Sequence, residues 1–302
     1  MGAGSFEILI VDNGSRDGSV EYLRGRFEQV EVIANDRNIG FAAGCNLGMR
    51  HALEVDAEYV LLINNDTIVD ARLLSELLAE AECEPRAGMI SPKIYYLEPP
   101  NLLWWAGGTY NPWLGIPEHI GWKKTDTRQF DESRDIDWAT GCALLLRCAA
   151  LREAGLFDEE IFGNGEDLDL SLRMRKLGWQ IRYAPKASLW HKEGCDYRRN
   201  VGEHVRKFTA ARNILWVMHK HAGTLQWLTF WPYFLFRYVS VIAIGSLCRR
   251  DPKSAGAVLA GIAAFFRMKA HSSSAVLPRE LARTMLPFTD TPNERLNIDR
   301  KH

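Results

Sequence analysis

The stretch FEILIVDNGSRDGS, residues 6–19, indicates the fold of the first half of the chain. Its apolar run, residues 6–11, predicts a buried strand of a parallel sheet. Asp12 then begins a polar turn, and a helix is predicted to follow through Leu23. Alternating strands and helices predict an α/β sheet, whose ligands bind outside the carboxyl ends of the strands. Two further strand and helix pairs follow, at 30–33 with 40–53 and at 59–63 with 71–81.

The middle of the chain is less regular. Residues 86–135 are rich in Trp, Pro and Gly and are predicted to be irregular. The tryptophans of residues 101–122 could stack on sugar rings, or they could belong to the core or to a dimer contact. Regular structure is then expected to resume with an apolar run in 138–147, helices over 149–154 and 166–177, and a strand over 181–183.

Composition excludes several classes of protein. The 302 residues are 47% hydrophobic and 25% charged, which is typical of a globular chain. Thirty-seven basic and 38 acidic residues leave a net charge of −1, so we expect no nucleic-acid partner. The six cysteines form no CxxC pair, which favours reduced thiols and a cytoplasmic location.

Two carboxylates are placed where a nucleotide site would need them. Asp12 and Asp66 each follow an apolar strand closely, so both side chains are expected at the same edge of the sheet. One could accept a hydrogen bond from a base N–H, and the other could ligate a divalent cation that bridges a diphosphate. The alternative is that each shapes a turn or caps a helix.

A third acidic group opens the predicted helix in GNGEDLDLSLR, residues 163–173. Acids at a helix N-terminus can be explained by the helix dipole alone. However, Asp169 and Arg173 are spaced to pair, which leaves Glu166 or Asp167 available as a general base. His191 follows a predicted strand and is either structural or a metal ligand.

Five segments together resemble glycosyltransferase family 2, in its rhamnosyltransferase-like branch. The resemblance spans residues 6–194 and keeps the order of the family's motifs. Residues 212–216 also resemble this branch, without a role that we can assign from sequence. The motifs are VDNGSRDGS (11–19), NIGFAAGCN (38–46), LINNDT (62–67), DWATGCA (137–143) leading to GLFDE (155–159) and GNGEDLDLSLR (163–173), and the late WH (190–191).

The resemblance implies a GT-A fold, in which a mixed, mostly parallel sheet is flanked by helices and followed by a helical extension. It also implies inverting transfer from a dTDP- or UDP-linked sugar to a glycan or lipid-linked acceptor, with Mg²⁺ or Mn²⁺ as cofactor. The implied site residues are Asp12, Asn38, Gly40, Asn46 and Asn64 for the nucleotide, Asp66 and His191 for the metal, Trp138, Thr140 and Gly141 for the sugars, Asp167 as base and Glu166 in support.

The sequence differs from the family pattern at its N-terminus. Members usually begin with a strand of the type VSVVIVTYN and a helix, and about 35 such residues are expected to be missing before Phe6. An inactive sugar-nucleotide-binding or membrane scaffold fragment is therefore the competing expectation. The implied domains are 1–197, with a nucleotide half at about 6–100 and an acceptor half at about 101–197, and a helical region over 198–302.

The last third of the chain suggests a membrane-associated region. Residues 227–247 are apolar, but Pro232 and Arg237 interrupt them. The segment could lie at a membrane interface, pack as a buried amphipathic helix, or span a bilayer. We expect peripheral contact with the cytoplasmic face of the inner membrane, and an oligomer is left open. The cations expected to meet anionic lipid are Arg198, Arg199, Arg206, Lys207, Arg212 and Lys220.

Overall fold

Strands and helices alternate through the first 83 residues, as the apolar pattern predicts. The computed structural model describes residues 6–192 and 202–271. Its strands are β1 (Ile8–Asp12), β2 (Val30–Ala34), β3 (Tyr59–Ile63), β4 (Thr67–Val69), β5 (Ala87–Tyr96), β6 (Leu103–Trp105), β7 (Gly108–Asn111), β8 (Ile116–His119), β9 (Arg134–Asp135), β10 (Ala143–Arg147) and β11 (Gln180–His191). Its helices are α1 (Ser19–Arg26), α2 (Phe41–Glu54), α3 (Leu73–Cys83), α4 (Cys148–Ala154), α5 (Glu166–Lys176), α6 (Glu203–His221), α7 (Gln226–Phe234), a π-helix (Leu235–Ile244), α8 (Gly245–Cys248) and α9 (Pro252–His271).

The main sheet is mixed and flanked by helices, as expected. Its strand order is β3-β10-β5-β11-β4, with β6 on β5 and β9 on β11. The expectation that parallel pairs dominate is wrong for the described residues, because only β1 with β2 and β5 with β11 are parallel. The reason is that β10 comes from the second half of the chain and runs antiparallel to both β3 and β5. Strands β3, β4 and β5 of the expected nucleotide half therefore share this sheet with strands of the acceptor half, while β1 and β2 form a separate two-stranded sheet. Asp12 and Asp66 thus follow strands of different sheets, which corrects the expectation of one common edge.

Residues 86–135 are not irregular, which corrects the prediction for this segment. They contain five strands, and β5 lies inside the main sheet with its first eight residues buried. Sequence reasoning missed β5 because Pro92 and Lys93 interrupt its apolar pattern. Lys93 is buried all the same, because its ammonium group pairs with the carboxylates of Asp126 and Asp131.

The C-terminal helices pack on the sheet domain through α6. Helix α9 lies along α6, and the absence of a side chain at Gly261 permits close approach to the Phe208 carbonyl group. The segment Gln226–Cys248 is long and apolar enough to cross a membrane, yet only 17% of its most apolar 18-residue window is buried. Phe230 and Phe234 are buried in the core. The predicted boundary at 197/198 lies outside the described residues.

Three of the cations expected to meet lipid serve internal contacts instead. Arg212 is buried and donates to the Phe162 carbonyl oxygen. Lys207 pairs with Glu203, and Lys220 pairs with Asp158. The basic pattern of this helix therefore reflects packing against the sheet domain as much as any surface role. Arg198 and Arg199 lie outside the described residues.

Candidate active site

Asp66 and His191, the two predicted cation ligands, meet at one end of the main sheet. Asp66 lies in the turn between β3 and β4, and His191 ends β11, which pairs with β4. Asp66 Oδ1 lies 3.2 Å from His191 Nε2. The hydrogen bond with His191 holds the pKa of Asp66 below its usual value.

The Asp66 and His191 side chains fit a divalent cation with a mixed ligand set. His191 is buried, and its Nδ1 has no hydrogen-bond partner within the described residues. A carboxylate and an imidazole suit Mn²⁺, and Mg²⁺ commonly takes few protein ligands and completes its shell with phosphate and water. No group of three His, Cys, Asp or Glu side chains that could hold a metal occurs in the described ranges. The remaining ligands would therefore have to come from a diphosphate and water.

A pair of acids, Glu166 and Asp167, occupies the first turn of α5. Asp167 Oδ2 accepts a hydrogen bond from the Gly141 amide at 2.9 Å, and its Oδ1 accepts one from the Leu168 amide at 2.8 Å. Burial and then the charge of Asp167 raise the pKa of Glu166 to about 8, and burial also raises the pKa of Asp167. Glu166 therefore keeps its proton at neutral pH, so the pair carries at most one negative charge.

The neighbouring acid Asp169 is engaged in ion pairs, as its spacing predicted. Arg173 Nε lies 2.9 Å from Asp169 Oδ2, while Lys220 Nζ and His221 Nε2 approach Oδ1 at 2.7 and 2.8 Å. Burial opposes ionisation here, but the bond from His221 and the charges of Arg173 and Lys220 outweigh it and lower the pKa of Asp169. Asp169 is thus a structural anion, unlike the two acids before it.

The turn at residues 140–142 links the Asp66–His191 pair to the Glu166–Asp167 pair. The Asn64 amide donates to the Cys142 carbonyl oxygen at 2.9 Å, two residues before Asp66. Gly141 donates to Asp167 from the same turn, and the buried Thr140 hydroxyl oxygen accepts the Cys142 amide at 3.4 Å. A side chain at Gly141 would meet the Phe41 ring at 3.1 Å. The structure therefore brings Asn64, Asp66, Thr140, Gly141 and Asp167 into one region.

The predicted nucleotide residues Asp12, Asn38 and Gly40 shape two turns beside β1 and β2. Asp12 Oδ2 accepts the Gly14 and Ser15 amides at 3.0 and 2.9 Å. Asn38 is exposed, and its Oδ1 accepts the Gly40 amide at 2.8 Å. Gly40 is buried with φ of +91°. The turn-forming alternative for Asp12 is thus realised, and one of its oxygens already serves that turn.

Asn46, which the sequence assigned to the nucleotide, is buried and fully engaged in hydrogen bonds within the fold. It is 2% exposed, and its Nδ2 donates to the Phe157 carbonyl oxygen and to Glu159 Oε1 at 2.9 and 2.8 Å. Its Oδ1 accepts the Phe157 amide at 3.0 Å. The amide group therefore ties α2 to residues 157–159 and has little capacity left for a ligand.

Trp138 is a packing residue rather than an open sugar platform. It is buried, its Nε1 donates to the Thr109 carbonyl oxygen at 3.0 Å, and its ring meets Trp105 edge to face. Sequence reasoning missed Trp104, whose ring lies 4.9 Å from the His191 ring. The Trp-rich pattern gives no signal that distinguishes Trp104, which lies beside the candidate metal pair, from Trp105, which is buried.

Arg212 and Asn213 are the other residues whose place the sequence did not reveal. Both are buried in α6 and bond the carbonyl groups of the turn before Glu166. The only signal in the sequence was the unexplained motif at residues 212–216. Because the two residues lie about 50 positions after that turn, the sequence pattern could not connect them.

Comparison with known proteins identifies the family and the fold. The sequence model for Glycosyl transferase family 2 matches residues 3–155. The N-acetylglucosaminyl-diphospho-decaprenol L-rhamnosyltransferase of Mycobacterium tuberculosis (strain CDC 1551 / Oshkosh) is 26% identical over 242 residues, which cover 72% of this chain and 76% of the relative. Galactofuranosyltransferase GlfT1 of Mycolicibacterium smegmatis is 25% identical over 252 residues, which cover 76% and 80%.

A solved structure carries the same fold. GalNAc-T7 with UDP, GalNAc and Mn²⁺ superimposes with a TM-score of 0.53 at 15% sequence identity, over 70% of this chain and 41% of that chain. That likeness shows the GT-A fold. With the family match over half of the chain, this chain belongs to glycosyl transferase family 2 and is a glycosyltransferase.

Proposed function

We propose that this chain is an inverting transferase that moves a sugar from a dTDP- or UDP-linked donor to a hydroxyl of a glycan or lipid-linked acceptor. L-Rhamnose is the sugar we favour, because one relative is an N-acetylglucosaminyl-diphospho-decaprenol L-rhamnosyltransferase. Bacterial cell-surface polysaccharide synthesis, on the cytoplasmic side of the inner membrane, is the matching process. Residues 6–100 would bind the nucleotide and residues 101–197 the acceptor.

The observation that carries this proposal is the link between Asp167 and the candidate metal pair. Gly141 bonds the Asp167 carboxylate, and Cys142 bonds the backbone of Asn64, two residues before Asp66. A base and a diphosphate site are thus held by one short turn. Asp12, Asn38, Gly40 and Asn64 would line the nucleotide side.

Asp167 would act as the general base. It takes the proton of the acceptor hydroxyl while that oxygen attacks the anomeric carbon and the bond from carbon to diphosphate breaks. Attack on the face opposite the leaving group inverts that carbon, and this single step needs only one base. The amides of Gly141 and Leu168 orient the carboxylate, and protonated Glu166 beside it adds no second charge.

Asp66 and His191 would hold the Mg²⁺ or Mn²⁺ ion. When bound, such an ion neutralises the charge that develops on the diphosphate as it leaves. The chain's own contribution is to place one carboxylate and one imidazole at the end of the sheet. Trp104 excludes water from one side of that imidazole.

The helices after α6 would contact a lipid surface. Seven apolar side chains of the segment 225–247 are about half exposed or more, and the exposed cations Arg249 and Arg250 follow directly. An apolar face next to cations is complementary to an anionic bilayer. The exposed apolar residues are Leu225, Leu228, Leu235, Phe236, Val241, Ile244 and Leu247.

Transfer can be tested directly with dTDP-L-rhamnose and UDP-sugars and a lipid-linked acceptor that carries an N-acetylglucosaminyl diphosphate. We expect the acceptor to gain the mass of one sugar with inverted anomeric configuration by NMR. Asp167→Asn is the control that should lower the rate of product formation by about 1000-fold. Nucleotide binding without transfer from any donor would favour the inactive scaffold instead.

Lipid contact can be tested by sedimentation with vesicles of phosphatidylglycerol and phosphatidylcholine. We expect the chain to pellet with anionic vesicles, and Phe236→Asp to weaken this by about thirtyfold, because a buried Phe side chain is worth about 2 kcal/mol. Tyr22→Asp, at an equally exposed ring on α1, is the matched control. Equal sedimentation of both variants would contradict the assignment.

A further inference from the structure

Helix α6 carries a buried pair, Arg212 and Asn213, that faces the turn before α5. Asn213 Nδ2 lies 3.2, 3.2 and 2.7 Å from the carbonyl oxygens of Phe162, Gly163 and Asn164. Arg212 Nη2 lies 3.0 Å from the first of these oxygens. Arg212 Nε also donates to Asn213 Oδ1 at 2.8 Å, which orients the amide so that its donor faces the turn. One side-chain pair therefore holds three successive carbonyl groups.

The backbone conformation of this turn requires stabilising contacts from other parts of the chain. Gly163, Asn164 and Gly165 have φ angles of +70°, +79° and +111°. A run of left-handed residues that includes a non-glycine is strained and persists only when its surroundings fix it. No side-chain cap from Gly165 closes the first turn of α5. The hydrogen bonds from Arg212 and Asn213 are contacts of this kind, made from another helix to three carbonyl groups of the turn.

The turn lies between the two sides of the site. Its last residue precedes Glu166 and Asp167 directly. At its start, the Phe162 ring packs so closely on Gly40 that an added Cβ would lie 2.8 Å from the ring. Gly40 belongs to the turn that Asn38 shapes on the nucleotide side. A shift of the turn would therefore move Asp167 relative to the nucleotide side.

Helix α6 holds α5 at a second point. The fully buried Asp169 accepts Lys220 Nζ at 2.7 Å and contacts His221 Nε2 at 2.8 Å, and both partners lie at the end of α6. Arg212 and Asn213 thus act before the first turn of α5, and Lys220 and His221 act within it. The acids between these two points have little freedom to move.

We propose that Arg212 and Asn213 are positioning residues for the Glu166–Asp167 pair, which they aim at the acceptor hydroxyl by fixing the turn at 162–165. This inference rests on the proposed function, since it takes Asp167 as the base of a sugar transfer. Neither side chain touches the reacting atoms. Their effect is on the geometry of the step rather than on nucleotide binding.

Hydrogen exchange tests the geometry independently of activity. We expect the amides of residues 163–168 to exchange at least about tenfold faster in Asn213→Ala than in the unchanged chain. Thr209→Val is the matched control, because Thr209 is equally buried in α6 and its hydroxyl bonds the carbonyl oxygens of Val205 and Arg206 in its own helix. Unchanged protection of 163–168 in Asn213→Ala would overturn the proposal, whether or not the chain transfers a sugar.

Kinetics test the consequence. Asn213→Ala should lower kcat by about 100-fold, the loss expected when reacting groups are misplaced by about 1 Å, with the donor KM nearly unchanged. In an Asp167→Asn background the same substitution should cost little more, because no base remains to be positioned. An equal loss in Thr209→Val, a raised KM at constant kcat, or full additivity with Asp167→Asn would each contradict a positioning role. Absence of transfer by the unchanged chain would count against the proposed function, and hydrogen exchange would still decide this inference.

Discussion

The turns beside β1 and β2 and the turn before α5 are held in different ways. Asp12 and Asn38 bond amides two or three residues away, and the two turns are bonded to each other by Asn13 Nδ2 on the Gly40 carbonyl oxygen at 3.1 Å. The turn before α5 is bonded by Asn213, 49 to 51 residues away, and Asp167 is bonded by Gly141, 26 residues away. The two nucleotide-side turns thus hold each other, whereas the catalytic acids are held by α6 and by the turn at 140–142. We therefore expect the catalytic acids to be positioned before substrate arrives, and substitutions in the nucleotide-side turns to leave that position unchanged.

The largest effect is expected from Asp167→Asn, at the catalytic acids. Asparagine can still accept the Gly141 amide, so the geometry is kept while the base is lost. We predict a fall in kcat of about 1000-fold, within the range for loss of a general base, and little change in the affinity for nucleotide. Steady-state transfer and calorimetric titration measure the two quantities. Loss of binding in parallel with kcat would mean that the two sides are not separate.

A smaller effect is expected from Asn46→Ala, which tests whether Asn46 contributes to stability or to nucleotide binding. The substitution leaves the buried Phe157 amide unpaired, so the free energy of unfolding in urea should fall by about 2 kcal/mol. Nucleotide affinity should not change. Asn38→Ala is the counterpart, and its exposed side chain should show the reverse pattern. Weakened nucleotide binding in Asn46→Ala at full stability would restore the sequence-based assignment.

Glu166→Gln tests the buried acid pair through pH. Because burial raises the pKa of Glu166 from 4.5 to about 8, the folded chain holds a proton that the unfolded chain releases above pH 4.5. This residue therefore makes stability fall as pH rises between those two values, and Glu166→Gln should flatten that fall. Urea unfolding across this range measures the slope. The exposed Glu82→Gln should leave the slope unchanged, and an unchanged slope in Glu166→Gln would contradict the raised pKa.

The smallest effect is expected from Asp12→Asn, in a nucleotide-side turn. An asparagine oxygen can still accept the Gly14 and Ser15 amides, so stability should change by less than about 0.5 kcal/mol. If the carboxylate also accepts a base N–H, nucleotide affinity should fall by about tenfold, because a charge-assisted bond is replaced by a neutral one. Unchanged affinity would show that Asp12 only shapes its turn.

Local patterns were enough to predict the strand and helix order of the first 83 residues. The strand 59–63 was predicted with its observed bounds, and the Asp169–Arg173 pair followed from helical spacing alone. The apolar run 6–11 forms the predicted strand over Ile8–Asp12, but the expectation that it is buried is wrong, because Phe6 and Ile8 are exposed. The acids 166–167 begin the predicted helix. Each of these features depends on residues that are near one another in sequence.

The features that sequence reasoning missed depend on distant partners. Strand β5 hides a buried Lys93, which is tolerated only because Asp126 and Asp131 reach it from a later loop. Asn46 looks like a ligand-binding residue until Phe157 is brought to it by the fold. Asn213 has no visible role until the turn before α5 packs against it. Periodicity and spacing cannot supply such contacts.

The most direct test of the nucleotide and metal assignments is isothermal titration of the full chain with UDP and with dTDP, in the presence and absence of Mn²⁺. We predict that Mn²⁺ tightens binding of one of the two by about tenfold or more, and that Asp66→Ala removes this gain while Asp70→Ala keeps it. The preferred base would identify the donor nucleotide. Failure of both nucleotides to bind with Mn²⁺, or a Mn²⁺ effect that survives Asp66→Ala, would contradict the site described above.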